Sequence, residues 1–138
     1  MSKRSIMITI SDHNRLQGLL VSDFVQAIGP KSHLRDLKSE LQRAEIVTSD
    51  DVPPDVVTMN STVRLLDLDT KDEETYTLVY PEDADIAANK LSILAPIGTA
   101  ILGYRVGDIV RWQVPSGRCR LRIEELLYQP EHRRALRL

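Results

Sequence analysis

The sequence predicts an α+β fold: a short N-terminal antiparallel helical hairpin followed by a β-sheet domain with one short helix. Three observations carry this reading. Apolar residues between 14 and 44 recur at helical spacing, with one interruption at Gly29-Pro30. Beyond Pro53-Pro54 the apolar period shortens to two. Finally, the least polar stretch, "LSILAPIGTAILG" (91–103), is broken by Pro96 and closes on Gly103, the pattern of a strand that feeds a short helix.

Taken in order, "SIMITI" (5–10) is apolar and β-branched, a short strand or extended lead-in. "SDHN" (11–14) offers N-cap residues for a first helix. In that helix Leu16, Leu19, Leu20, Phe24, Ala27 and Ile28 share one face. Gly29-Pro30-Lys31 forms the hairpin tip, and Ser32 caps a second helix whose Leu34, Leu37, Leu41 and Ala44 make a coiled-coil-like seam. At about 15 residues, each helix spans only about 22 Å. A hairpin that short needs support from the rest of the chain.

"TSDDVPPDV" (48–56) is acidic, aperiodic and proline-rich, a linker that divides residues 1–49 from 50–138. "STVRLLDLD" (61–69) starts as a strand, and Leu66 and Leu68 break its alternation as a bulge would. "TKDEE" is a turn. "TYTLVY" puts Tyr76, Leu78 and Tyr80 on one side, and "PEDADIAANK" is an acidic loop. "LSIL" is a strand and "PIGTAILG" a short helix. "DIVRWQV" and "RCRLRIEEL" form a hairpin around "PSG", with Cys119, Leu121 and Ile123 inward and Arg118, Arg120, Arg122 and Glu124 outward. "EHRRALRL" is a basic tail, expected to fray.

Composition narrows the function. The 138 residues carry a net charge of −2, which argues against a dedicated nucleic-acid binder. The charge is uneven: residues 1–50 hold seven basic and six acidic side chains, residues 51–100 three and ten, and residues 101–138 eight and four. Such a two-signed surface either is simply solvated or orients the protein on a partner. One cysteine excludes an internal disulfide and suits a reducing compartment. With no signal peptide or membrane span legible, the expected location is the cytoplasm.

No catalytic constellation emerges. His13, His33 and His132 lie far apart without ligand spacing and read as surface histidines. Cys119 sits on an apolar strand face and reads as core. "LGYRVGD" lacks the spacing of a phosphate-binding loop. Glu82, Asp83 and Asp85 lack a calcium-loop pattern and read as solvated. The row Arg118, Arg120, Arg122 suits either an acidic or phosphate partner or the solvent face of an edge hairpin. The sequence therefore predicts a non-enzyme with no cofactor and no metal.

"SILAPIGTAILGYRVGDIVRWQVPSGRCRLRIEEL" is similar to the C-terminal domain of the bacterial Gre transcript-cleavage factors, through its "APIG", "LG…VGD" and "P.G" blocks. "PPDVVTMNSTVRLLDLD" and "TYTLVYPEDAD" resemble a shorter branch, the Rnk family of regulators of nucleoside diphosphate kinase. The resemblance implies an FKBP-like C-terminal domain with an antiparallel sheet and a short N-terminal coiled coil. It implies a partner, RNA polymerase, bound at the coiled coil on the rim of the secondary channel. It assigns polymerase contact to Leu94, Ala95, Pro96, Ile97 and Gly98, with Ala95 where the relatives often have Ser. In the long relatives the hairpin reaches the active-site magnesium with acidic residues. Here the hairpin is short and its turn "AIGPKSH" (27–33) has no acid, while Asp23 and Asp36 lie on the helices. The expectation is a non-catalytic regulator that competes with longer channel-entering factors, with no sequence-specific nucleic-acid binding and an indirect effect on the kinase. Two alternatives stand beside it: a prolyl isomerase, by fold analogy, and direct control of nucleoside diphosphate kinase.

Overall fold

The computed structural model describes residues 6–28, 32–114 and 117–133. The order of elements is β1 (Met7–Thr9), α1 (Ile10–Leu20), α2 (Asp23–Ile28), α3 (Ser32–Arg43), β2 (Glu45–Val47), β3 (Thr62–Asp67), β4 (Glu73–Val79), β5 (Lys90–Ser92), α4 (Pro96–Ile101), β6 (Ile109–Val114), β7 (Gly117–Tyr128) and α5 (Pro130–Arg133). The fold is α+β, as the sequence predicts.

The helical segment departs from expectation at both ends of its first helix. Thr9, not the "SDHN" stretch, is the N-cap: its hydroxyl accepts from the Asp12 N–H at 3.1 Å. The first helix is also split at Val21-Ser22. There the Ser22 hydroxyl donates to the Leu19 carbonyl (2.7 Å) and accepts from the Val25 N–H (3.3 Å), so it ends one helix and opens the next. The seam of α3 holds, with Leu34, Leu37 and Leu41 buried. β1 and β2 flank the helices and pair in parallel, Met7 with Glu45 and Thr9 with Val47. The tip Gly29, Pro30, Lys31 and the "PSG" turn lie outside the described residues, as does the tail beyond Arg133.

The larger sheet has the order β5-β4-β3-β7-β6. The expected antiparallel sheet is in fact mixed. β5 lies parallel to the last three residues of β4, Leu78 opposite Leu91, because the 80–89 connection folds as two 3₁₀ turns that bring the chain back to Thr77. The bulge expected in β3 belongs to its partner: the register shifts between Thr62 and Val63, and between Arg64 and Leu65, leave Leu127 and Glu124 of β7 unmatched.

One face of this sheet presents Val63, Leu65, Leu78, Leu121 and Ile123 to Ile93, Ile101 and Leu102. Ile6, Ile8, Leu16, Leu37 and Leu41 from the helical segment belong to the same core. The proline-rich stretch between them is packed rather than loose. Val52 and Val56 are buried, and Gln129 Nε2 donates to the Pro53 carbonyl (2.9 Å) and the Val56 carbonyl (2.7 Å). His132 hydrogen-bonds the Val52 carbonyl. The opposite face of the sheet is polar, with Arg64 paired to Glu125 at 2.8 Å.

Candidate docking surface

β5 ends at Ser92, and the chain turns sharply into α4. The Ser92 hydroxyl accepts from the Leu94 N–H (3.0 Å), and the Ser92 carbonyl accepts from the Ala95 N–H (3.0 Å). Ala95 takes the extended N-cap conformation but brings no side-chain acceptor, and Pro96 occupies the first helical turn, where a missing N–H costs nothing. Thr99 locks the turn from below: its N–H donates to the Ala95 carbonyl and its hydroxyl to the Pro96 carbonyl, both at 3.0 Å.

The five residues of this corner divide by burial. Pro96 is exposed; Leu94, Ala95 and Ile97 are half-buried; Gly98 is buried. Gly98 is the seat of the corner. A Cβ there would stand 2.3 Å from the Ser92 carbonyl oxygen and 3.2 Å from the Ile93 Cα, so only glycine lets α4 lie this close to β5. Gly103 follows the other end of α4: its φ of +82° lets the chain turn after the extended Leu102, with the Tyr104 N–H donating to the Ile101 carbonyl, and a Cβ would meet the Ile6 Cβ at 2.3 Å.

Beside the corner lies a cleft of about 220 Å³. Ile97 forms one wall, with Leu65, Tyr76, Cys119 and Leu121 beneath and Asp67, Thr70, Asp72 and Glu74 around the mouth. The strand register explains the placement. Leu65 lies opposite Glu74, and Asp67 opposite Leu121, so these acids stand at core-facing positions just beyond the covered part of the sheet. The sequence reading missed the cleft. Its signal was present as carboxylates two residues from core-facing apolar positions, Leu65/Asp67 and Tyr76/Glu74.

Inside the cleft Cys119 Sγ is 3.9 Å from Asp67 Oδ2. Burial raises the thiol, and the Asp67 and Asp69 charges raise it further, so Cys119 is held as a poor nucleophile. Asp67 moves the other way. The N–H groups of Thr70 and Asp69 donate to its carboxylate and hold its pKa below the ordinary value.

The remaining candidate residues have structural partners. His13, expected at the surface, is buried: its Nε2 is 3.0 Å from the Leu41 carbonyl, so it joins α1 to α3. His132 is tied to Val52 as described. In the acidic loop, Glu82 pairs with Arg15, and Asp85 accepts from the Ala87 N–H at 3.1 Å. Of the basic row, Arg120 pairs with Asp69 at 2.7 Å and Arg122 with Glu124, while the Arg118 side chain lies outside the described residues. Asp23 and Asp36 are exposed on α2 and α3. Among the described residues no group of three or more His, Cys, Asp or Glu side chains is arranged to hold a metal ion, and no helix is long and apolar enough to cross a membrane.

This sheet, with its corner, has a counterpart among known proteins. Residues 52–128 match the family model of the transcription elongation factor GreA/GreB C-terminal domain, so the fold and the corner belong to a Gre-related transcription factor. A GreA of Syntrophotalea carbinolica is 37% identical over 87 residues, 63% of this chain and 55% of that protein. The helical segment, residues 4–47, matches the Rnk N-terminus model. The chain belongs to the Rnk family: it is 38% identical over 132 residues, 95% of each chain, to the regulator of nucleoside diphosphate kinase of Escherichia coli. Among solved structures, a prokaryotic transcription elongation factor GreA/GreB from Nitrosomonas europaea is 44% identical, with a TM-score of 0.75 over 90% of this chain and 100% of that one.

Proposed function

We propose that this protein is a non-catalytic regulator that binds RNA polymerase at the rim of the secondary channel and competes there with longer Gre-type factors. In this reading residues 50–138 form an FKBP-like head, and residues 1–49 an antiparallel helical arm of the coiled-coil type. The head docks on a coiled coil at the channel rim, in the cytoplasm. The observation that carries the reading is the corner Leu94-Ala95-Pro96-Ile97-Gly98. It is apolar, presents an exposed proline, and is rigidly seated by Gly98 and Thr99 within a matched GreA/GreB domain. Leu94, Ala95, Pro96 and Ile97 supply the contact, and Gly98 fixes their position.

The arm supports the non-catalytic part. Its returning helix α3 has 12 residues, about 18 Å at 1.5 Å per residue. The turn 27–33 contains no carboxylate to deliver to a distant metal. An effect on nucleoside diphosphate kinase then follows indirectly, through transcription. The name of the Escherichia coli relative favours a second reading, direct contact with that kinase. Pull-down with purified polymerase and purified kinase separates the two.

The test of the docking corner is polymerase binding by Pro96→Ala and Ile97→Asp variants, each checked for folding. The expected result is a loss of affinity of about tenfold or more. Wild-type binding by both variants overturns the assignment. In a transcript-cleavage assay on a backtracked complex the expected result is no stimulation; robust cleavage overturns the non-catalytic reading.

A further inference from the structure

The cleft beside the corner has a composition that the corner alone does not explain. Its floor is apolar and its mouth carries three carboxylates, Asp67, Asp72 and Glu74, with no basic residue in the lining. Asp67 is fixed by two backbone N–H groups, from Asp69 at 2.8 Å and Thr70 at 3.1 Å, which leaves its second oxygen directed at Cys119. Asp72 and Glu74 have no cationic partner among the described residues. Nearby, Asp69 pairs with Arg120 and Glu125 with Arg64, while Glu73, on the opposite face of β4, has no ion pair among the described residues.

We infer that the cleft receives a single arginine or lysine side chain from the RNA polymerase surface on which the Pro96 corner rests, its aliphatic stem on Ile97, Tyr76 and Cys119 and its cationic head among Asp67, Asp72 and Glu74. Volume supports one side chain rather than a free ligand. Small-molecule pockets run from roughly 300 to 1,000 Å³, and this one is about 220 Å³. Chemistry supports a basic side chain. Lys and Arg lay apolar stems along apolar surface while the charge stays at a polar mouth, and charge-assisted contacts to carboxylates are the strong kind. Continuity supports the polymerase as its source, since Ile97 belongs both to the corner and to the cleft wall. The inference rests on the docking proposed above and adds what the partner must present: a basic residue next to an apolar contact.

The experiment measures the affinity of the full chain for core RNA polymerase at low and high salt. The variants are Asp72→Asn/Glu74→Gln, Glu74→Lys, and a control, Asp83→Asn, that removes one charge from the exposed 81–83 turn. At about 50 mM salt the double variant binds about tenfold more weakly than wild type, Glu74→Lys more weakly still, and the control within about twofold. The difference between double variant and wild type shrinks as salt rises, because screening weakens the wild-type contact. Thermal melts establish that the variants fold. If the cleft variants bind like the control while Pro96→Ala and Ile97→Asp lose binding, this inference falls and the docking corner stands. If the wild type does not bind polymerase, both fall.

Discussion

At one end of the sheet's inner face, Leu78, Ile123 and Val63 are closed over by Ile93, Ile101, Leu102 and the helical segment. At the other end, the half-buried Tyr76, Cys119 and Ile97 line a cleft above the buried Leu65 and Leu121. The closed end also buries polar groups, and several of them are matched. The Tyr80 hydroxyl donates to Asp12 Oδ1 at 2.8 Å, the Arg15 guanidinium lies 3.6 Å from the Tyr80 ring centroid, and Thr58 donates to Glu131 Oε1 at 2.7 Å. The open end carries Asp72 and Glu74, which have no ion pair among the described residues. The contrast teaches where this chain completes its own interactions and where it leaves them for another molecule to complete.

Mutations at the two ends should differ in kind. The largest effect is expected at Leu16, which is fully buried between the helices and the sheet. Leu16→Ala should cost about 4 kcal/mol of unfolding free energy, read by chemical denaturation. Gly98→Ala should cost about 3 kcal/mol, since the added Cβ meets backbone rather than a movable side chain; it should weaken polymerase binding as well. Tyr80→Phe should cost about 1.5 kcal/mol, because the half-buried Asp12 loses a donor. A loss at Glu74→Gln comparable to any of these would erase the contrast. The expected change there is within about 0.5 kcal/mol, with the thermal midpoint nearly unmoved.

The matched polar groups also give a pH signature. Burial raises the Asp12 carboxyl above its ordinary 3.8, against the opposing pull of Tyr80, and raises Glu131 above 4.5. The native state therefore holds protons that the unfolded chain has released. Their contribution to stability is full below the ordinary values, falls as pH rises through the raised ones, and is level above. Removing the titrating group isolates this. Any advantage of wild type over Asp12→Asn should be greatest below pH 3.8 and shrink toward neutrality, as followed by urea unfolding at a series of pH values.

Much of this was legible beforehand wherever a signal is local. Tyr76, Leu78 and Tyr80 marked β4, the α3 seam was read from spacing, and Pro96 with Gly103 bracketed α4. What escaped depends on residues distant in sequence. Three-residue strands such as β1 and β2 carry too little pattern to announce that they pair. The parallel course of β5 depends on how the 80–89 turns fold back. His13 looked polar in isolation and is buried because Leu41 supplies an acceptor. For the site, the corner was visible as apolar residues around a proline. The cleft was not, because it exists only once β3, β4, β7 and α4 are assembled.

The parallel pairing of Met7–Thr9 with Glu45–Val47 has a consequence for how such proteins can vary. It brings the entry and exit of the helical segment side by side, like the two legs of a staple held in one block. The segment between them can then be exchanged for one of another length without re-threading the sheet. Reach becomes an independent variable, set by the length of that segment while the anchoring body stays the same.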